Sequence, residues 1–471
     1  MPYHDLIWWI CFVAYCCIYL YVASRTSPQH AIGVAFALSL LIPSWLEIEI
    51  LDQPFPFRLA SQAFALAAYC FYKKAVFPLK LGLLDLLLLT LVLVHIVSDT
   101  WNSGWTWTLP LRAYCEWGVP YIAGRLCFCD RTYPVPLAMT FTAVAATISS
   151  LSLCEGLTHY HPWEMIFGER PFDEIPRNAE RWGMLRAWGQ SKHPIFLGLT
   201  IVLLQPWILM LFSVWTSLRA RMLLSILLVL SIAGIATTGS RAAILASFLL
   251  ILLTSARLLT TWKKPLYALI AASVVLALIF WDQTWKFAHV WSGEESLEQS
   301  NRVTLEIDGE KVQNSSTMGR LNLYMFYRKA MREGGFLGFG TERTDSFPVD
   351  VPVGARDEFS RTSLKFVDNH YILITLRFGW LGSAAFVAIL TTAIVIPILS
   401  SQRYGMNGSS NFMYPIVSYS VFSASLALLT VWLAFDFGQL LLFFLGILST
   451  AFTFENSSEL AIDQAEWNQS T

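Results

Sequence analysis

Asp368-Asn369-His370-Tyr371, followed by Arg377-Phe378-Gly379, puts a carboxylate and an imidazole two residues apart where a polar stretch runs into an apolar one. Either group is able to take a proton from a hydroxyl. Three further constellations are rich in guanidinium groups. Arg186-Ala-Trp-Gly-Gln-Ser-Lys192-His193-Pro194 leads into an apolar run, with Pro194 suited to a first helical turn. Thr237-Thr-Gly239-Ser240-Arg241 is a tight turn between two apolar runs, and Gly239 lets the backbone bend sharply. Gly319-Arg320 with Gly338-Phe-Gly340 adds a fourth charged segment. A single arginine at a membrane edge ordinarily reaches for lipid phosphate, and a lone histidine there is ordinarily structural. Several guanidinium groups at one lip are different. Each binds phosphate oxygens bidentately, so together they suit a diphosphate, with a lipid tail lying in the bilayer beside them. No Asp-rich metal motif accompanies them. The arginines, and no metal or other cofactor, are therefore expected to offset leaving-group charge.

The elements that must position these groups are apolar. Of the 471 residues 55% are hydrophobic and 14% charged, against roughly 25% charged in soluble domains. The chain reads as all-α, a polytopic membrane helix bundle. Its net charge of −1 provides no basic field for nucleic acid. Nineteen Trp and 17 Tyr fit interfacial belts in contact with membrane lipids. The eight Cys read as small apolar side chains, since Cys127-Phe-Cys129 lacks zinc-ligand spacing and none lies in the long polar stretch. No basic region precedes Leu6–Val22, so that run reads as a retained helix.

A spanning helix needs about 20 apolar residues. The candidate spans are 6–23, 31–48, 59–72, 81–97, 109–126, 134–154, 193–213, 222–237, 242–259, 265–282, 369–399, 413–434 and 437–454, which predicts about 12 to 13 transmembrane helices. Lys and Arg concentrate in one alternate set of short loops, at Arg25, Lys73, Lys74, Lys80, Arg131, Arg219, Arg221, Arg257, Lys263, Lys264 and Arg403. The opposite set, 49–57, 98–108 and the turn at Asp436, has none. The first set is expected inside. Residues 155–192 and 283–368 then fall outside, as does Ser240-Arg241, and the acidic tail 455–471 falls inside. Six segments follow: N-terminal spans 1–154, an amphipathic loop 155–192, spans 193–282 with the Ser-Arg turn, a large partly helical loop 283–368, C-terminal spans 369–454, and the tail 455–471. In the first loop arginines interleave with Trp163, Trp182 and Trp188, as in a segment lying on the outer leaflet. In the second, Arg302–Gln313 predicts a hairpin about Asp308-Gly309. Ser316 or Thr317 predicts the cap of a helix through Arg332, stopped at Gly334-Gly335, with Arg320, Tyr324 and Tyr327 on one face.

Over roughly residues 110–400 these features resemble the O-antigen ligase and polysaccharide polymerase superfamily of bacterial inner-membrane proteins. Pro120-Tyr-Ile-Ala-Gly-Arg125 is similar to an arginine-bearing segment of some exopolysaccharide members. Arg186 through His193-Pro-Ile-Phe-Leu-Gly198, Thr238-Gly-Ser-Arg241-Ala-Ala, and Gly319-Arg320…Gly338-Phe-Gly340 with Asp368-Asn-His-Tyr-Ile…Arg-Phe-Gly-Trp-Leu-Gly382 follow in the family's order. The resemblance implies a metal-independent glycosyltransferase whose large loop is periplasmic and whose donor is a glycan on undecaprenyl diphosphate. Ligases of the family pass the glycan to lipid A–core, and polymerases pass it to a second lipid-linked repeat. Carried over by position, Arg186, Arg241 and Arg320 would bind the diphosphate, with His193, Asn369, Tyr371 and Arg125 as further substrate-binding residues. A chain-length regulator enters as a candidate partner on the same ground.

Ligases usually carry His-Asn-x-Tyr-Leu, and here Asp368 stands at the His position while His370 fills the x. Asp368 by alignment, or His370 by chemistry, would be the base. The Asp-Asn-x-Tyr pattern leans toward a polymerase. The ligase is the alternative, and a lipid-linked glycan transporter using Asp85, His95 and Glu116 is the rival of another class. The loop 283–368 is expected to close over the diphosphate as a lid.

Overall fold

The computed structural model describes residues 3–50, 53–72, 80–128, 134–170, 180–258, 279, 304–307, 310–313, 318–345, 349–353, 364, 366–403, 409–434 and 436–450. Helices stand at every expected span except 265–282, which lies outside the described residues apart from Ile279. The tail 455–471 lies outside them too. Six of the described helices are long and apolar enough to cross a membrane, as a polytopic helical membrane protein requires.

The first half runs α1 (Tyr3–Arg25), α2 (Pro28–Ser39), β1 (Glu47–Ile50), β2 (Gln53–Pro56), α3 (Phe57–Cys70), α4 (Leu83–Ser103), α5 (Thr108–Ala113), a π turn Tyr114–Gly118, α6 (Val119–Cys127), α7 (Pro134–Thr158) and α8 (Pro162–Phe167). It continues with β3 (Glu180–Arg181), β4 (Met184–Leu185), α9 (Pro194–Val214), α10 (Leu218–Thr237) and α11 (Arg241–Leu258). The second half holds β5 (Thr304–Ile307), β6 (Glu310–Gln313), α12 (Met318–Glu333), α13 (His370–Arg403), α14 (Ser409–Ala427) and α15 (Asp436–Thr450).

Local chemistry sets many boundaries. Ser27 caps α2 by accepting from the His30 N–H at 3.1 Å, with Pro28 in the first turn. That helix ends at Ser39, short of the expected 31–48, because Pro43 cannot continue it and Trp45 and Leu46 turn to pack with Trp163 and Phe167. The expected hairpin in the large loop is present, with Ile307 paired to Glu310 across the turn. Helix α12 ends at Glu333, and Gly335, whose φ is +57°, lies in the turn that stops it. Tyr327 is buried there while Tyr324 is exposed, so the face expected to be shared is split between core and solvent.

Helix α9 is apolar all round and almost wholly buried, the mark of a central helix. It packs on α7, α10, α11 and α14. Close approach is built in at Gly198, where a Cβ would lie 2.7 Å from Ala243 Cβ and 3.0 Å from Thr238 Oγ1. Hydrogen bonds tie several connections together at one end of the bundle. Ser44 N–H donates to Gln190 O at 2.9 Å, Ala187 N–H to Thr237 O at 3.0 Å, Lys192 N–H to Asp436 Oδ2 at 3.3 Å and His370 N–H to Leu428 O at 2.9 Å. The described parts of the connections around Ser44, Ala187–Lys192, Thr238–Ser240 and Leu428–Ala434 therefore share that end.

The expected span 369–399 is not one straight helix. Gly379 sits at φ +64°, ψ −163°, and the chain reverses there. The Thr375 and Ser383 hydroxyls meet at 2.5 Å, and the His370 ring lies edge-on to Phe386 at 4.8 Å. Eight and sixteen residues along a straight helix would stand about 12 and 24 Å apart, so residues 370–378 fold back against the long leg that follows. Gly338, at φ +71°, locks this reversal. A Cβ there would lie 2.5 Å from Arg377 O, and one at Gly379 would lie 2.3 Å from Phe336 O. The C-terminal end of α4 holds both. Asn102 Nδ2 donates to Gly338 O at 3.2 Å and Thr341 N–H to Asp99 Oδ1 at 2.7 Å. Trp117, brought round by the π turn, donates its indole N–H to His95 Nδ1 at 3.0 Å. An indole only donates, so the His95 proton sits on Nε2, 3.2 Å from Asp99 Oδ2.

Candidate active site

The Thr238-Gly239-Ser240 turn lies between α10 and α11, and two arginines from the preceding loop bond its carbonyls. Arg186 Nε donates to Thr238 O at 3.2 Å, and Arg181 Nη1 donates to Gly239 O at 2.6 Å. Gly239, at φ +61°, is free of a Cβ that would press on the Arg181 side chain at 3.0 Å. Arg241 opens α11 next to them. Burial first, then the charges of Arg181 and Arg241, pull the Arg186 guanidinium down to about 10. It remains charged at neutral pH. Three like charges are thus gathered at one turn, the arrangement that a multivalent anion relieves.

The loop that presents Arg186 is anchored by a buried acid. Glu155, fully buried, takes the Trp188 and Gly189 N–H groups at 3.2 and 2.8 Å, His161 Nδ1 at 2.6 Å and Arg170 Nη2 at 3.5 Å. The Arg170 guanidinium lies between the rings of Trp45 and Trp188, 4.9 and 4.7 Å from their centroids. The described residues of 155–192 accordingly form a short helix, a two-residue-strand hairpin and an anchored loop on the bundle, where the sequence predicts one amphipathic segment. The loop ends at His193, which caps α9. Its Nδ1 accepts from Ile195 N–H at 3.1 Å, which leaves the ring proton on Nε2. Both α9 and α11 point their N-termini, the positive ends of their dipoles, toward this region.

Asp368 and Asn369 stand at the neighbouring helix end. Asn369 Oδ1 caps residues 370–378 through Ile372 N–H at 3.1 Å, and its Nδ2 donates to Leu429 O at 3.1 Å. Tyr371 Oη donates to Ser425 O at 2.9 Å. Trp432 bridges the two regions. It lies edge-on to Phe196 at 5.2 Å, one turn into α9, and packs on the cluster containing Val367 and Leu373. Asp368 is half-buried, whereas His370 is 3% exposed. Neither ring nitrogen of His370 has a hydrogen-bond partner among the described residues, and the ring is closed in by Phe386.

Most of the site residues expected from sequence stand at this end of the bundle: Arg186, His193, Arg241, Asp368, Asn369, His370 and Tyr371. Arg320 occupies the first turn of α12, and its side chain lies outside the described residues. Arg125 stands elsewhere. It pairs with Asp85 at the start of α4 and donates to Lys80 O, at the opposite end of the bundle from Ser98–Ser103, and Tyr121 Oη joins Asp85 at 2.7 Å. These contacts tie α6 to the start of α4. Sequence reasoning did not single out Arg181 or Glu155. Arg181 carried one faint signal, the Trp182-Gly183 dipeptide of a tight hairpin beside it. Glu155 carried none beyond an acid at the end of an apolar run.

Residues 226–387 match the family described as O-Antigen ligase. The matched stretch contains the Thr238–Arg241 turn, α12 and the reversed segment 370–387 with Asp368 before it. Over that stretch the chain is similar to the O-antigen ligase family, which supports a transferase-type function in polysaccharide assembly. No curated protein matches the chain significantly.

Proposed function

Proceeding from an O-antigen ligase segment that contains both the arginine turn and Asp368, we propose that this protein is a polysaccharide polymerase-type glycosyltransferase. It moves a glycan from undecaprenyl diphosphate to a sugar hydroxyl of a second lipid-linked repeat at the periplasmic face of the bacterial inner membrane. The observation that carries this reading is the gathering of Arg181, Arg186 and Arg241 around one turn, beside the N-termini of α9 and α11. These groups hold the diphosphate and stabilise the charge that develops on it as the anomeric C–O bond breaks. The acceptor oxygen attacks the anomeric carbon from the opposite face, its proton passes to the base, and the electron pair leaves with undecaprenyl diphosphate. A single displacement inverts the anomeric centre.

Asp368 is favoured as the base. It is half-buried at the end of the loop, whereas a sugar hydroxyl reaches His370 only if Phe386 moves. His370 then serves as a packed ring that orients the turn. A transporter is disfavoured because its expected coupling groups are engaged: Asp85 with Arg125 and Tyr121, His95 with Trp117 and Asp99.

The test is elongation of undecaprenyl-diphosphate-linked oligosaccharide by purified protein in detergent. Arg241→Ala and Asp368→Asn should each abolish it at normal protein yield, while His370→Gln retains measurable activity. Surface polysaccharide from a deletion strain separates the family's two branches. Loss of long chains with single repeats still on lipid A–core marks a polymerase, and loss of all attachment marks the ligase. Unaltered polymer from the Arg241→Ala strain would overturn the proposal.

A further inference from the structure

The loop that carries the arginines has three tryptophans with different fates. Trp163 and Trp188 are buried at 6% and 3% exposure, and Trp188 stacks on Arg170. Trp182 is 54% exposed and has no hydrogen bond, ring contact or cation contact with the described residues. It also occupies an unusual backbone position. Trp182 and Gly183 are the two central residues of the β3–β4 hairpin, at φ +57° and +74°. A two-residue turn with both φ values positive favours Asn-Gly, and an indole-bearing residue in the first place is strained. Backbone strain of this kind persists where the surrounding structure demands it, and it concentrates at ligand sites.

The location supplies the reason. Trp182 follows Arg181 directly in the chain, and the Arg181 side chain lies against the arginine turn. A Cβ at Gly239 would be 3.2 Å from Arg181 Cβ, and Arg181 Nη1 bonds Gly239 O at 2.6 Å. The exposed indole is thus carried by the residue next in the chain to one that touches the arginine turn, and the first sugar of a donor must lie close to that turn, one phosphoester bond from the diphosphate. A tryptophan needed only as an interfacial anchor has no cause to occupy a left-handed turn position. The face of an indole is electron-rich and meets the C–H face of a pyranose favourably, as it meets other positive edges.

We propose that Trp182 is the stacking platform for the sugar joined to the diphosphate of the donor. This rests on the transferase reading of the same site and adds to it a subsite for the glycan. The test uses Trp182→Asn, because asparagine is the residue this turn prefers, so the fold is not put at risk, and Trp182→Tyr, which keeps a ring. With the full-length protein in detergent, Trp182→Asn should raise KM for lipid-linked oligosaccharide about 2- to 10-fold, the range of one aromatic contact. Its kcat and melting midpoint should hold, and Trp182→Tyr should restore KM to within about twofold of the wild type. Direct binding of lipid-linked oligosaccharide and of undecaprenyl diphosphate without sugar is measured alongside. The tighter binding conferred by the sugar should be present in the wild type and lost in Trp182→Asn, with the sugarless lipid bound equally by both. The proposal is overturned if the sugar-dependent gain survives in Trp182→Asn, or if binding of the sugarless lipid falls in step, as for a membrane anchor. A wild type that binds the glycan through Trp182 but transfers nothing would leave this subsite standing and remove the transferase reading.

Discussion

Removing Arg186 should separate ligand binding from folding. Its guanidinium is pulled well below its ordinary value, to about 10, by burial and by Arg181 and Arg241. A change of that size corresponds to about 3 kcal/mol against the charged form. Solvent screening at a half-buried side chain reduces the figure to roughly 1–2 kcal/mol. Arg186→Gln removes this cost and also the Nε–H bond to Thr238 O at 3.2 Å, worth about 1 kcal/mol. The unliganded variant should therefore be within about 1 kcal/mol of the wild type. Binding should respond differently. A charge-assisted contact to phosphate is worth about 1.5–3 kcal/mol, so affinity for undecaprenyl diphosphate should fall roughly 10- to 100-fold. The assay is thermal unfolding in detergent with and without that lipid. At 100 times its Kd the lipid stabilises the wild type by about 2.7 kcal/mol, and the same concentration should leave Arg186→Gln with about half of that or less. A variant that unfolds several kcal/mol more easily without ligand would show Arg186 to be a structural strut. A variant with the full ligand effect would take the diphosphate away from this turn.

Three further outcomes follow from the geometry. Glu155→Gln turns an amide toward the Trp188 and Gly189 N–H donors, so it should lower kcat/KM at least 10-fold, while Glu155→Asp recovers part of it. Steady-state kinetics on folded protein decides this, and equal activity of Glu155→Gln and wild type would remove Glu155 as the support of Arg186. Gly379→Ala brings a Cβ to 2.3 Å from Phe336 O at positive φ. It should destabilise by more than about 3 kcal/mol, seen as a lowered melting midpoint or loss of accumulated protein. Arg125→Met leaves Asp85 unpaired and should cost about 3–5 kcal/mol, which Asp85→Leu in the same chain largely restores. Glycan transfer per folded molecule should be unchanged, and a specific loss of transfer in that double variant would contradict its placement away from the site.

The reversal at Gly379 marks the boundary of sequence reasoning. Residues 369–399 have the length and apolarity of one span, and the periodicity of a folded-back helix is the same as that of a straight one. Only the contacts of Gly338 with Gly379, and of α4 with both, bend the segment. Arg125 shows the same boundary. Its motif was matched locally, while its partner Asp85 lies forty residues earlier across the bundle.

Composition, residue pattern and turn chemistry by themselves determined the membrane class, nearly all the described spans, the pairing of β5 with β6, the end of α12 near Gly335 and the start of α9 at Pro194. These depend on neighbours within a few residues, or on whether a segment is apolar enough to leave water. The tertiary structure decided the rest. It set Arg181 beside Arg186 at the Thr238 turn, buried His370 while leaving Asp368 half-open, and hung the loop of Trp188 on Glu155, thirty-three residues away. Such choices turn on which helix ends meet when α7, α9, α11 and α14 close around one another. Packing at Gly198 and at the Phe196–Trp432 contact determines that, and no local pattern in the chain records it.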